Sequence, residues 1–283
     1  MEPKNKYPMS KKIEYNYNYN PKTSLIINYF TSLNTMLTTI DNIRCLTDEV
    51  EIIVINDKYG ENTEEIMKHL HHRNDRMVIS RDLAERRGYH HGAQISNASD
   101  FIIFTQDDDL APTDNKWYID CIKEFEKDPK LGIIGLLKGG INYGQSNIKV
   151  LKDNYDKVYV SWLATGPLII RKNLYFEIGA WSDEYSQIGE ADGGADADLT
   201  TKVLLKGYKC MLLRTPSVKK WVRRFNRDDG ITNENIKYSE KRKPTTVRLD
   251  LNNKIYCEKF KDQSILINKL IEQHNKEINI KLN

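Results

Sequence analysis

Three consecutive carboxylates, Asp107, Asp108 and Asp109, follow the apolar run Phe101 to Phe104 and the pair Thr105, Gln106, with Pro112 close behind. Adjacent carboxylates repel one another, so water or a cation has to hold them. Hard oxygen donors of this kind suit Mg²⁺ or Mn²⁺ carrying a phosphorylated substrate. An acidic turn that caps the next helix is the plainer reading of a lone Asp triplet. What surrounds this triplet decides between the two.

A second carboxylate, Asp57, closes the β-branched run EVEIIVIND, Glu49 to Asp57. Further on, Glu190, Asp192, Asp196 and Asp198 are interleaved with Gly193 and Gly194 ahead of an apolar helical pattern. One or two acids there would complement a helix N-terminus. Four beside two glycines, which let a loop approach a substrate closely, suit a general base for a hydroxyl nucleophile. Downstream, Lys219, Lys220, Arg223 and Arg224 form a basic group that is either a solvated loop or a set of diphosphate contacts. Arg86, Arg87 and Gly88 divide evenly between a solvated turn and a phosphate or base contact. Trp162 and Trp181 are core residues by default and sugar-stacking faces otherwise.

The elements that must position these groups alternate. SLIINYF (Ser24 to Phe30) predicts a strand, with Thr31 or Ser32 capping a helix that runs to about Cys45. The strand ending at Asp57 comes next, then a helix capped by Asn62 or Thr63, a strand over Arg76 to Ser80, and a helix of small residues over Gly88 to Ser99. The strand from Phe101 follows. This is the doubly wound pattern, and in such a sheet ligands bind outside the carboxyl ends of the strands. Both Asp57 and Asp107 therefore belong at one sheet edge. Beyond the triplet the pattern predicts a helix over Trp117 to Pro129, a strand leading to a flexible Gly139, Gly140 loop, and one or two strands with a short helix over Val158 to Trp181. A helix over Asp198 to Lys206 closing at Gly207 and a strand over YKCMLL complete it. Phe260, Leu266, Leu270 and Ile271 fall at helical spacing in a final helix, Lys259 to His274, suited to docking on the core or on a twin subunit, which leaves a homodimer open.

Composition bounds the function classes. The chain has 283 residues, 39% apolar and 29% charged, with a formal net charge of +3. That suits one sizeable domain and gives no reason to expect a nucleic-acid partner. Cys45, Cys121, Cys210 and Cys257 match no zinc or redox spacing and read as reduced thiols. No apolar run reaches the roughly 20 residues of a bilayer span. The polar, Asn- and Tyr-rich start carries no signal-peptide core. The expectation is a soluble cytoplasmic protein. Heavy Asn, Lys and Ile usage suggests an AT-rich genome, and a viral source would place it in the host cytoplasm or the virion.

Taken in order, these stretches resemble the family 2-like glycosyltransferases of the GT-A fold. SLIINYF followed by EIIVINDKYGENTEEI is similar to that family's opening strand and its VVDDGSTDGT-like segment. RDLAERRGYHHGAQISNASDFIIFTQDDD resembles its run from NRG to FLDDDD. GPLIIRKNLYFEIGAW and ADADLTTKVLLKGYK are similar to its G..L.RR..FE.VGGF and GEDVDLCLRLR.AGYK stretches. There are departures: Gln106 stands where an acid often precedes the triplet, Ala195-Asp196 replaces a Glu-Asp pair, and no histidine follows the Met211 to Arg214 strand.

The resemblance implies an α/β, Rossmann-like GT-A fold with a mostly parallel sheet flanked by helices. With the residue patterns above, the chain divides into residues 1–22 as a polar arm, 23–110 as a nucleotide-binding half, 111–250 as an acceptor half and 251–283 as a helical tail. The resemblance implies a metal-dependent, inverting enzyme that moves a sugar from a nucleotide-sugar donor, UDP-sugars first, to a glycan or other hydroxyl acceptor. By the same resemblance Asn28, Tyr29, Asp57, Arg86, Asp107 and Asp108 bind the donor, although Asp108 could do no more than hold the turn. Asp109 holds Mn²⁺ or Mg²⁺, Arg223 and Arg224 meet the diphosphate, and Trp181 lies on the acceptor side. Asp196 is the base, with Glu190 and Asp192 as alternates. A nucleotidyltransferase and a non-catalytic binding relative are the competing classes; SLIINYFTSLNT lacks the glycine and basic residues of an NTP loop, which counts against the first.

Overall fold

A computed structural model describes residues 21–44, 49–70, 74–81, 83–142, 148–150, 155–185, 196–223 and 246–280. Strand β1 (Thr23–Tyr29) is buried along its whole length, as is β2 (Val50–Asn56), and the two pair in parallel. Runs of Ile, Val and Leu without polar alternation are what a strand covered on both faces requires. Parallel β3 (Arg76–Ile79) and β4 (Phe101–Gln106) flank them, and the connecting helices are α1 (Leu33–Arg44), α2 (Thr63–His69) and α3 (Glu85–Ile95).

Beyond β4 come the two-residue β5 (Asp109–Leu110), α4 (Lys116–Lys127), β6 (Leu131–Gly135), β7 (Gly139–Asn142), β8 (Ile148–Val150), β9 (Lys157–Tyr159), β10 (Trp162–Leu163), β11 (Leu168–Arg171) and α5 (Lys172–Glu177). The next elements are α6 (Asp196–Leu205), β12 (Lys209–Leu213), β13 (Val222–Arg223), α7 (Thr246–Phe260) and α8 (Ser264–Glu277). The main sheet has eight strands in the order β3-β2-β1-β4-β11-β6-β12-β9, with β11 antiparallel to both its neighbours and β9 antiparallel to β12. A mostly parallel sheet flanked by helices is thus realised, with the doubly wound half on one side of β11.

The side-chain period of two along β1 divides the core. Leu25, Ile27 and Tyr29 face α1 and α4, meeting Met36, Ile40, Trp117 and Phe125. Ile26 faces the opposite layer of α3, α5, α6 and α8, with Tyr89, Tyr175, Val203 and Ile271. The helix of small residues lies close on the sheet as the sequence predicts: β-carbons at Gly88 and Gly92 would come within 2.7 Å of Asn28 Oδ1 and 2.5 Å of Ile26 Cγ2.

Several local expectations change. Neither Thr31 nor Ser32 caps α1 with its side chain; the backbone N–H groups of Phe30, Thr31 and Ser32 donate to the Asp107 carboxylate, which arrives from the end of β4. Asn62 adopts the left-handed conformation and donates to the Tyr29 hydroxyl at 2.6 Å instead of capping α2. Gly139 and Gly140 begin β7, where Gly140 pairs with Val150 and Trp162, and so are not a free loop. Val158 to Trp181 holds three short strands, because the turn at Thr165 to Pro167 interrupts the apolar run.

The C-terminal helix is two helices. Phe260 ends α7, a turn over Lys261 to Gln263 shifts the helical phase, and Ile267 and Ile271 become the buried residues while Leu266 is 50% exposed. Both helices dock on this chain's own core. Asn275 of α8 donates through Nδ2 to the Tyr159 carbonyl and accepts through Oδ1 from the Tyr159 N–H. Tyr256 of α7 shares a hydrogen bond with Thr201 of α6. Among the described residues no helix is long and apolar enough to cross a membrane.

Candidate active site

The parallel register brings the acidic strand ends together: Tyr29 pairs with Asn56, and Asn28 with Gln106, so Asp57 and Asp107 leave from neighbouring strands on either side of β1. Asp57 is fully buried. Its Oδ1 accepts from Ser80 Oγ at 2.8 Å and the Leu83 N–H at 2.7 Å, and Oδ2 accepts from the Ala84 N–H at 3.1 Å. The carboxylate therefore shapes the turn into α3 and fixes where Arg86 emerges.

The triplet is not uniform. Asp107 Oδ2 takes the three N–H bonds from the β1–α1 turn, so this oxygen sits in a backbone nest. Burial pushes the Asp107 carboxyl up, and the N–H bonds of Ser32, Thr31 and Phe30 pull it part of the way back. Asp109 is fully buried and its two oxygens accept four hydrogen bonds: from Arg223 Nε at 2.8 Å, Arg223 Nη2 at 3.2 Å, Thr105 Oγ1 at 3.2 Å and the Gln106 N–H at 3.0 Å. Four is about the number of lone-pair sites on a carboxylate. Asp109, expected as the metal ligand, is thus occupied by Arg223 in this structure.

Asp108 is different. Its side chain is 21% exposed, and Arg223 Nε at 3.7 Å is its only ion pair among the described residues. Partial burial, then the charges of Asp107 and Asp109, push its carboxyl up to about 8.

Arg223 reaches Asp109 because β13 pairs antiparallel with β5, Arg223 opposite Asp109. Its Nη2 also donates to the carbonyls of Thr165 and Gly166, both at 2.8 Å. Gly166 has φ +68°, and a β-carbon there would stand 2.5 Å from Asp109 Oδ2, so the turn admits only glycine. Thr165 also faces the other way: its Oγ1 donates to Asp196 Oδ1 at the start of α6, and Arg86 Nη2 donates to the same oxygen at 2.6 Å. Asp196 Oδ2 accepts nothing among the described residues, and its side chain is 20% exposed. The Arg86 guanidinium lies 5.2 Å from the Trp181 ring centroid.

The remaining expected residues divide. Asn28 sits at the end of β1, 6% exposed, with no partner for Oδ1 among the described residues. Tyr29 is fully buried with its hydroxyl bound by Asn62, so it is a core residue in this structure. Trp181 is 5% exposed and packs edge-on against Phe104 at 5.9 Å, forming a wall beneath Arg86. Lys219 and Lys220 pair instead with Asp156 and Asp114. Asp198, grouped in the sequence with Asp196, is buried and bound by Lys202, Lys259, Ser182 and Tyr185. Glu190, Asp192 and Arg224 lie outside the described residues.

Residues 24–179, more than half of the chain, match the family model described as Glycosyl transferase family 2. The chain belongs to glycosyl transferase family 2. It is 29% identical over 133 residues to a poly-beta-1,6-N-acetyl-D-glucosamine synthase of Staphylococcus aureus strain MSSA476, a match that covers 46% of this chain and 31% of that protein. This chain thus spans about a third of the length of such curated relatives. Its fold is that of the GT-A glycosyltransferases. GalNAc-T7 with UDP, GalNAc and Mn²⁺ is similar at a TM-score of 0.55 and 18% identity, over 71% of this chain and 43% of that one. The mannosyltransferase PcManGT of Pyrobaculum calidifontis in complex with GDP-Man and Mn²⁺ is similar at 0.52 and 15% identity, over 71% and 56%. TarS residues 1–349 of S. aureus give 0.50 and 14%, over 68% and 58%.

A family 2 site raises the question of a cation. Among the described residues no three His, Cys, Asp or Glu side chains form a metal cage. A cation at a nucleotide site commonly has one or two carboxylates and takes its other ligands from phosphate and water. Asp108 fits that donor set: it is the most exposed member of the triplet and has no hydrogen bond among the described residues, whereas Asp107 Oδ2 is held by backbone N–H groups and Asp109 by Arg223. Thr165, Gly166 and the Arg223 partnership were not legible as site features; the signal available was the Thr-Gly-Pro turn breaking an apolar run.

Proposed function

We propose that this chain transfers a sugar from a nucleotide-diphosphate sugar, with UDP-sugars first among donors, to a hydroxyl acceptor. The observation that carries this reading is the continuity of one polar chain, Asp109–Arg223–Thr165–Asp196–Arg86, which joins the acidic ends of the parallel strands to the first turn of α6. Donor-side acids and a candidate base therefore belong to one site.

In this reading the nucleoside lies over the ends of β1 and β2, with Asn28 as a hydrogen-bond acceptor and Asp57 shaping the floor. Asp107 anchors the β1–α1 turn beside it. The diphosphate lies toward Asp108 and Arg223. Mn²⁺ or Mg²⁺ held by Asp108 would supply electrostatic stabilisation of the departing diphosphate, and the Mn²⁺ in two of the similar structures supports that choice. Asp196 accepts the acceptor hydroxyl's proton on Oδ2. The alkoxide oxygen then bonds to the anomeric carbon from the face opposite the diphosphate as the carbon–oxygen bond to phosphate breaks, inverting the centre. Trp181 backs the acceptor side through Arg86.

The test is incubation with Mn²⁺, a panel of UDP- and GDP-sugars and a panel of hydroxyl acceptors, reading released nucleoside diphosphate. Release with sugar transfer is expected. Pyrophosphate formed from an NTP and a sugar phosphate would instead make it a nucleotidyltransferase, and no release from any donor would overturn the transferase reading.

A further inference from the structure

Asp196 presents its two oxygens unequally. Oδ1 accepts two donors of different origin: Arg86 Nη2 at 2.6 Å, from the second residue of α3, and Thr165 Oγ1, from the turn between β10 and β11. Oδ2 accepts neither. Both donors are themselves fixed. The Arg86 side chain is 6% exposed and lies against the Trp181 ring, while the Thr165 carbonyl accepts from Arg223, which is locked onto Asp109. Thr165 is 4% exposed, so water does not readily take the place of its hydroxyl.

We propose that Arg86 and Thr165 are positioning residues for Asp196. They hold Oδ1 and so leave Oδ2 as the proton-accepting oxygen, which places Arg86 on the acceptor side and not at the nucleotide. This rests on the transferase reading given above. Two bonds from different elements remove rotation of the carboxylate about its last torsion, and a base must sit within hydrogen-bond reach of the proton it takes. A displacement of about 1 Å at such a group costs roughly a hundredfold in rate. Thr165 also makes the base sensitive to the donor side, because the residue that orients Asp196 hangs from Arg223 and Asp109.

Thr165→Val keeps the shape and deletes only the hydroxyl. Its kcat for UDP release from UDP-N-acetylglucosamine with Mn²⁺, or from whichever UDP-sugar the unaltered chain turns over fastest, should fall roughly tenfold to a hundredfold. The donor KM and the calorimetric Kd for UDP should stay within about twofold, and Thr165→Ser should restore most of kcat. Arg86→Met serves as the second variant and should show the same split between kcat and KM. Wild-type kcat in Thr165→Val overturns the inference while leaving the transferase reading intact. Weakened UDP binding in Arg86→Met with unchanged kcat would return Arg86 to the nucleotide and also overturn it. An unaltered chain that releases no UDP from any donor overturns both.

Discussion

Arg223 Nε stands 2.8 Å from Asp109 Oδ1, and this contact joins the last residue of β13 to a fully buried carboxylate 114 positions earlier in the chain. Removing one partner of a buried pair leaves the other charge uncompensated, at a cost of about 3 kcal/mol or more. Arg223→Ala should therefore lower the midpoint of urea unfolding substantially. Arg223→Met combined with Asp109→Asn should recover part of the loss, since neither variant residue carries a buried charge.

Asp107 supports α1 from outside the helix. Asp107→Ala removes the acceptor of three backbone N–H groups and should destabilise by about 1–3 kcal/mol. Asp107→Asn keeps an acceptor oxygen and should lose less. Amide hydrogen exchange resolved at Phe30, Thr31 and Ser32 checks the assignment, with faster exchange expected there in Asp107→Ala.

Asp108 carries a stability cost that grows with pH. Its folded carboxyl is pushed up to about 8, above the ordinary value of 3.8, so the folded state binds its proton more tightly than the unfolded chain does. Stability from this group is full at low pH and falls as pH rises from the unfolded value through about 8. Asp108→Asn should thus raise the Tm in metal-free buffer, by little near pH 4 and by most at pH 8. The same variant should lose Mn²⁺-dependent enhancement of UDP binding, measured by calorimetry.

Asp198 behaves in the opposite sense. Burial alone would raise its carboxyl, but hydrogen bonds from Lys259, Lys202 and Ser182, with the charge of Lys202, together hold it below the ordinary range. Its contribution is present above the unfolded value and is lost as pH falls through the depressed folded one. Asp198→Asn should cost stability at pH 7, and the gap to the unaltered chain should close in thermal melts as the pH is taken below the ordinary carboxylate range.

What was legible in the sequence follows a physical divide. The β1, β2 and β4 runs were readable because strands buried on both faces need unbroken β-branched sequence, and the register then brings Asp57 and Asp107 to one edge. The fold and the candidacy of Asp196 followed from ordered segments. The division of labour inside the triplet did not, because it depends on partners remote in sequence: the α1 amides for Asp107 and Arg223 for Asp109. Spacing alone also does not show that Leu266 is exposed, since the turn at Lys261 to Gln263 resets the helical phase without a proline or glycine.

The most direct measurement is a crystal structure with UDP and Mn²⁺ soaked in. We expect uridine over the ends of β1 and β2 near Asn28 and Asp57, Mn²⁺ against Asp108 and the diphosphate, and Arg223 still paired with Asp109. Mn²⁺ bound to Asp109 with Arg223 displaced, or UDP bound away from this sheet edge, would contradict this placement.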